Sequence, residues 1–261
     1  MKVIKGNFGE VRICDCFNKN YGLPSLKDKQ FDLFFSDVPW GHEFDGTKSL
    51  GANKILYDKP KKVNYEDSFN PKFNLKYYKE VRRISNGSVI ITGKKALFWW
   101  IRNTEPLELF IFAFKNGVAQ SKISTFNGLG WWICYGDFFK KHKFHRNYET
   151  VTDIEKVYGY ETYIENGFLA NNKEYEYIHP SPKDYKTWNK AISDLKPTNM
   201  IDIFAGSGTL AEVGESLGIP YVCFEIENRY IPDIKYRIDQ GIERYKKLQK
   251  KVFKPKNIRR L

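Results

Sequence analysis

The sequence predicts an α/β domain, a mainly parallel sheet covered by helices. Three observations predict it. Short runs rich in β-branched and aromatic residues alternate with helical stretches. The 261 residues are 41% hydrophobic and 16% aromatic, enough for one sizeable core. Late in the chain, a strand runs through a Gly-x-Gly turn straight into a helix and a further strand, the arrangement of an open α/β sheet that binds a ligand at its strand ends.

The elements follow in order. Phe31–Ser36 (FDLFFS) reads as a buried strand, and a helix around Lys72–Ile84 leads to a second at Ser88–Thr92. Leu107–Phe114 and Trp131–Tyr135 are the next β-rich runs. Lys183–Leu195 has apolar or aromatic positions at Tyr185, Trp188, Ile192 and Leu195 and reads as a helix. Met200–Phe204 is a strand, Thr209–Leu217 a helix and Tyr221–Ile226 a strand. A long helix is expected from about Arg229 to about Gln249, with Pro232 in its first turn and Gly241 weakening it. Gly41–Phe69 is polar and without periodicity, as a long functional loop would be. Lys140–Tyr177 shows no clear elements.

Composition excludes several classes. No stretch approaches 18 consecutive apolar residues, and MKVIKGNFGEVR lacks the apolar run of a signal peptide. No membrane partner and a cytoplasmic location are expected. Cys14, Cys16, Cys134 and Cys223 have no disulfide-framework spacing, which fits a reducing compartment. Cys134 with His142 and His145 is a weak metal grouping, and no metal is expected. Net charge is +12, of which Arg244–Leu261 carries +9 and the rest of the chain +3. That basic tail suits a polyanion and equally suits a solvated helix end.

Two motifs carry chemistry. Residues 200–209 read MIDIFAGSGT. Gly206 and Gly208 let the backbone approach a ligand, and the following helix offers free N–H groups. Glu225, near the end of the next strand, can accept hydrogen bonds from both hydroxyls of a ribose. This unit points to a nucleoside cofactor. The missing third glycine argues against a dinucleotide, and the absence of Gly-Lys-Ser/Thr excludes a P-loop. The second motif is Asp37-Val38-Pro39-Trp40, an acid, a proline and an aromatic at a strand end.

Together these residues resemble the S-adenosylmethionine-dependent amino-group DNA methyltransferases. The order, Asp-Val-Pro-Trp first and the glycine motif last, resembles their β class. Ile13-Cys14-Asp15-Cys16 is similar to the family's Gly-Asp-Cys segment, with Cys14 replacing the glycine. His179-Pro180-Ser181-Pro182-Lys183 resembles His-Pro-Thr-Gln-Lys-Pro, with Asp184 in place of the last proline, and Asp202–Thr209 resembles Asp-Pro-Phe-Ala-Gly-Ser-Gly-Thr. The resemblance covers about residues 11–40 and 88–240 and is vague over 118–177.

The resemblance implies a single domain over 1–261. Its Rossmann-like methyltransferase sheet would have about seven strands, mostly parallel, with a circularly permuted motif order. A small target-recognition insertion would lie within 118–177, and a basic tail would occupy 244–261. It also implies S-adenosylmethionine bound across the strand ends. Asp15 would hold its adenine and Glu225 its ribose. The turn of Phe204, Ala205, Gly206, Ser207, Gly208 and Thr209 would hold its methionine part, and Asp202 would belong to the same cofactor site. Asp37, Ser181 and Lys183 would line the same pocket, although Lys183 also fits a solvent-facing residue in the first turn of a helix.

In the resemblance, Asp37 and the Val38 carbonyl accept the two N–H bonds of an exocyclic amine. Accepting both favours a pyramidal nitrogen whose lone pair can attack a sulfonium methyl in line. Pro39 belongs to the motif, and Trp40 would stack on a base flipped out of double-stranded DNA. Valine keeps the carbonyl and loses only the fixed φ of proline, an effect of about 0.4–1 kcal/mol. Pro39 and the β-branch both favour the same extended backbone.

Asp at position 37 implies the N6 of adenine in a short site. Read one place earlier, Ser36 would imply the N4 of cytosine. An RNA substrate and a catalytically decayed, nucleic-acid-binding scaffold are the alternatives. Phe138–Arg146 interleaves bases with aromatics, as either a nucleic-acid surface or an amphipathic segment would. A homodimer and a cognate restriction nuclease stand as further candidate partners.

Overall fold

A computed structural model describes residues 1–39, 70–113, 129–144, 175, 177–179 and 182–252. Among them, eight strands form one sheet: β1 (Lys2–Lys5), β2 (Gly9–Ile13), β3 (Phe31–Asp37), β4 (Ser85–Thr92), β5 (Glu108–Ala113), β6 (Leu129–Tyr135), β7 (Met200–Asp202) and β8 (Tyr221–Glu225). Their spatial order is β1-β2-β8-β7-β3-β4-β6-β5. The five central strands, β2 to β4 in that order, are parallel; β1 and β6 run antiparallel to them, and β5, paired antiparallel with β6, returns to the central direction at the edge. Among the described residues the strand count is eight, against about seven implied by the resemblance; the two strands that the sequence analysis does not assign are β1 and β2 of the N-terminal hairpin.

The helices are α1 (Pro71–Ile84), α2 (Lys94–Asn103), the short α3 (Phe138–Lys141), α4 (Tyr185–Leu195), α5 (Thr209–Leu217) and α6 (Ile231–Val252). They cover both faces, because side chains on the central strands alternate between two cores. Leu33, Phe35, Val89, Ile91 and Cys223 pack under α4, α5 and α6. Phe34, Ile90, Ile201 and Phe224 pack under α1 and α2. Burial on both faces is why β3 and β4 read as continuous apolar runs.

Local signals fix the ends. Asn70 caps α1 by accepting the Phe73 N–H at 3.1 Å, with Pro71 opening the helix. Asp184 caps α4 by accepting the Thr187 N–H at 3.0 Å, so this helix starts two residues later than the sequence suggests and leaves Lys183 outside it. The last helix runs unbroken past Gly241. A Cβ at that glycine would lie 2.5 Å from the Glu212 carbonyl oxygen, so its role is close approach of α6 to α5.

Parallel strands β3 and β7 are neighbours, while their following strands lie on opposite sides, β4 outward from β3 and β8 outward from β7. This is a topological switch point, where ligands bind at the carboxyl ends of strands. Motifs about 165 residues apart in the chain thereby become adjacent.

The basic segments lie elsewhere. Tyr135 pairs with Ser88 at the start of β4, so the run from Phe138 onward leaves the sheet at the end opposite Asp37. Phe138 and Phe144 are buried in the core, Lys140, Lys141 and Lys143 are exposed, and the His142 ring bonds the Leu195 carbonyl at 2.8 Å. The amphipathic reading of this run holds over Phe138–Phe144; His145 and Arg146 lie outside the described residues. Within 118–177, residues 129–135 form a strand of the central sheet, so that stretch is not wholly an insertion; most of the remainder lies outside the described residues. Of the basic tail, residues 244–252 are the last turns of α6. There Tyr245 packs on Phe8 of the β1–β2 turn at 4.8 Å, again away from the switch point. The tail's last nine residues lie outside the described residues, as do the loop 41–69 and Trp40.

Candidate active site

A cleft of about 460 Å³ opens at the carboxyl ends of β2, β3, β7 and β8. Asp15, Asp37, Pro39, Lys183, Phe204, Ala205, Gly206, Ser207, Thr209 and Glu225 all line it. The fold thus gathers five separate sequence segments around one space.

The floor is the β7–α5 turn. Its backbone is pinned at each step: Phe204 N–H donates to Asp202 Oδ1 at 2.9 Å, Ala205 N–H to the Phe224 carbonyl at 2.9 Å, and Gly206 N–H to Glu225 Oε2 at 2.7 Å. Gly206 has φ of +53° and Gly208 of +91°, both left-handed conformations that L side chains rarely adopt. A Cβ on Gly206 would come within 2.8 Å of His179 Nε2. Here glycine serves both the turn and close packing.

Glu225 is a strand-end carboxylate turned inward. Its second oxygen accepts the Glu227 N–H at 2.8 Å. Burial raises its pKa to about 7, against the lowering effect of those backbone hydrogen bonds. Asp15 follows β2, is exposed, and accepts the Phe17 N–H at 2.9 Å. Cys14 N–H donates to the Glu225 carbonyl at 2.9 Å, which ties these two positions together.

Asp37 ends β3, and its Oδ2 lies 3.0 Å from the Lys183 ammonium, both side chains being largely buried. Lys183 therefore faces the cleft, not solvent. Strand alternation sends Ser36 the other way: it is fully buried and donates to Asp202 Oδ1. The structure thus puts Asp37, and not Ser36, at the cleft.

Two of the expected residues, Asp202 and Gly208, lie off the cleft wall, and Val38 sends only its side chain away from it. Asp202 is buried beneath the cleft, not in its wall; there it accepts from Ser36 and Phe204, and burial raises its pKa to about 7. Gly208 supports the turn and the start of α5 without lining the cleft. The Val38 side chain is in the core, and its N–H donates to the Ile91 carbonyl at 3.2 Å, one step beyond the paired residues of β3. Ser181 and Trp40 lie outside the described residues.

Sequence reasoning missed several wall residues. Asn70 and Phe73 come from the start of α1, Trp188 from α4, and Arg229 and Tyr230 from the turn before α6. Phe73 belongs to an aromatic group with Phe17 at 5.6 Å and Phe204 at 6.2 Å. An aromatic at the first turn of a helix that follows a strand-end motif was the available signal. His179 lies beneath Gly206, with its ring 4.5 Å from that of Tyr230.

Comparison with known proteins agrees with this geometry. No family model matches the chain. The Type II methyltransferase M.HinfI of Haemophilus influenzae is 26% identical, over 86% of this chain and 66% of that protein, so the chain spans about two thirds of the relative's length. The crystal structure of the M1.HpyAVI–SAM complex matches with a TM-score of 0.52 at 15% identity, over 88% of this chain and 99% of the other. PvuII DNA methyltransferase, which is cytosine-N4-specific, matches with a TM-score of 0.56 at 18% identity, over 94% of each chain. The chain has the amino-methyltransferase fold. The resemblance carried by its motifs and the resemblance carried by its backbone point to the same proteins. Among the described residues, no helix is long and apolar enough to cross a membrane, and no group of three His, Cys, Asp or Glu side chains could hold a metal ion.

Proposed function

We propose that this protein is a DNA methyltransferase that uses S-adenosylmethionine to methylate an exocyclic amine, the N6 of adenine in a short site. One observation carries the reading. The Asp37 carboxylate, the positive-φ glycine turn and the inward Glu225 carboxylate face one cleft.

The residues present suit the cofactor. The cleft is of the size that takes a nucleoside-sized ligand. Gly206 holds the turn at a positive φ on the cleft wall, and Glu225 keeps lone pairs beside its backbone donors for ribose hydroxyls. When bound there, S-adenosylmethionine supplies an electrophilic methyl group. Asp15 would take the adenine side, and the Phe204–Thr209 turn the methionine side. Ser181 joins this set by resemblance alone.

Asp37 does the work on the acceptor. An amine conjugated to a base is a poor nucleophile. A carboxylate and the Val38 carbonyl, both accepting from it, orient the nitrogen lone pair and stabilise the positive charge it gains. The nitrogen would take the methyl group of the bound cofactor, whose sulfur would keep the bonding pair, and would release one N–H proton to water to restore neutrality. Pro39 lines the cleft, and Trp40 would stack on the flipped base.

Adenine is favoured because Asp37 occupies the cleft position while Ser36 is engaged with Asp202. The N4 of cytosine is the second reading, favoured by the fold likeness to PvuII methyltransferase. Labelled methyl transfer to unmethylated duplex DNA, followed by digestion to nucleosides, separates them. N6-methyladenine supports the first reading and N4-methylcytosine the second. Transfer to RNA alone, or no transfer to any nucleic acid, contradicts both.

A further inference from the structure

Lys183 is not delivered to Asp37 by a helix or a strand. It precedes the cap of α4, and the described residues of the 175–183 segment are fastened to α6 instead. Asp233, fully buried in the first turn of α6, accepts from the Tyr175 hydroxyl at 2.9 Å, the Ile178 N–H at 3.1 Å and the His179 N–H at 2.7 Å. Tyr236 stacks on Tyr175 with ring centroids 3.9 Å apart. Arg237, 1% exposed, donates from Nη2 to the Lys183 carbonyl at 2.8 Å. Its Nη1 pairs with Glu212 at 2.5 Å, and its guanidinium lies 4.7 Å from the Tyr177 ring centre. Glu212 stands in the first turn of α5, directly behind the glycine turn.

Apolar side chains would join α6 to its neighbours without burying ionised groups, which carry a large desolvation cost. What the charged groups add is direction. Each backbone N–H and carbonyl they bind on the segment has one place to sit. We propose that Asp233 and Arg237 are positioning residues, which fix the segment so that the Lys183 ammonium rests on the Asp37 carboxylate. The proposal rests on the reading of Asp37 given above. An ammonium at 3.0 Å favours the ionised carboxylate and holds one of its oxygens, so the group is presented as an acceptor. Asp202, across the neighbouring strand end, is raised chiefly by burial, and the ionised Asp37 adds to that rise. Because Arg237 also grips Glu212, one guanidinium ties the place of Lys183 to the helix that starts at the glycine turn.

The test is a carbon-13 NMR titration of the Asp37 carboxyl in the cofactor-free full chain, its signal identified by its loss in Asp37→Asn. Lys183→Met should raise the midpoint by about one pH unit. The double variant Glu212→Gln/Arg237→Gln, which leaves neither partner of that ion pair charged and buried alone, should produce most of the same rise. Added to Lys183→Met, it should produce no more, since both act through one contact. Asp233→Asn, near-isosteric, gives the same reading should the double variant fail to fold. An unchanged midpoint in the Arg237 and Asp233 variants, or shifts that add to that of Lys183→Met, would overturn the proposal. The acid limb of kcat against pH should move in parallel. A wild-type chain that transfers no methyl group would defeat the reading of Asp37 as catalytic, while the titration would still decide the positioning.

Discussion

The ends of β3 and β7 meet at the switch point, yet they tolerate sequence change very differently. The β7 turn works through its backbone. Gly206 and Gly208 adopt conformations that a side chain resists, and a Cβ at Gly206 would strike His179. The end of β3, as proposed, would work through one carboxylate and one carbonyl. Position 38 contributes to the cleft nothing that its side chain decides: that side chain is in the core, and the N–H of Val38 bonds to Ile91. Where function resides in backbone shape, the residue type is fixed. Where it resides in a carbonyl, a valine can stand for a proline.

That contrast can be broken at graded positions. Gly206→Val should have the largest effect. A β-branched residue at positive φ costs about 1–3 kcal/mol of stability. Its bulk should weaken S-adenosylmethionine binding about a hundredfold, equivalent to about 2.8 kcal/mol. Calorimetric titration together with a denaturant melt reads both. Glu225→Gln should come next. One end of the amide must present an NH2 group to a backbone N–H of Gly206 or Glu227, and the charge-assisted bonds to a ribose are lost. At about 1.5–3 kcal/mol, cofactor affinity should fall roughly ten- to a hundredfold.

The pH dependence sharpens the same side of the comparison. In the proposed site, ribose hydroxyls would donate to the ionised form of Glu225, whose pKa burial lifts to about 7. Affinity for the cofactor should therefore be level above that pH and fall progressively below it, as read by titrations from pH 8 to pH 5.5. The stability of the free protein should run the other way. Glu225 and Asp202 titrate near 7 in the fold, against ordinary values of 4.5 and 3.8, so the folded chain binds protons in that interval that the unfolded chain does not. Their contribution is complete below about pH 4 and is lost as pH rises through about 7. Val38→Pro should have the smallest effect. It removes the bond to Ile91, worth about 0.5–1.5 kcal/mol, and regains about 0.4–1 kcal/mol of chain entropy. The melting midpoint and kcat should both stay close to wild type.

The parts legible in the sequence share a physical property. β3, β4, β8 and α5 are defined by local patterns, continuous apolar runs ended by turn residues or glycine, and the sequence bounds agree with the fold within a few residues. The β1–β2 hairpin lacked such a pattern. Its strands are half exposed, and its turn is held by Glu215, a buried carboxylate more than 200 residues away that accepts the Asn7 and Phe8 N–H groups. α2 was hidden because KKALFWWIRN is as apolar and aromatic as a strand. At the cleft, residue types announced Asp37, Gly206 and Glu225. The direction of a side chain was less legible: Asp202 has the right chemistry and points beneath the cleft, to Ser36. The clamp of Asp233 and Arg237 on the 175–183 segment depends on contacts more than 50 residues apart and left no local trace.

The central claim is that Asp37 acts on the acceptor amine while the glycine turn and Glu225 hold the cofactor. The most direct measurement is Asp37→Ala, with cofactor binding and methyl transfer to DNA followed in parallel. Asp37→Ala should keep S-adenosylmethionine affinity within a few-fold of wild type and lose transfer by about a hundred- to a thousandfold, the scale for removing one preorganised polar group from a transition state. Full transfer by Asp37→Ala, or a loss of transfer explained entirely by lost cofactor binding, would contradict the claim.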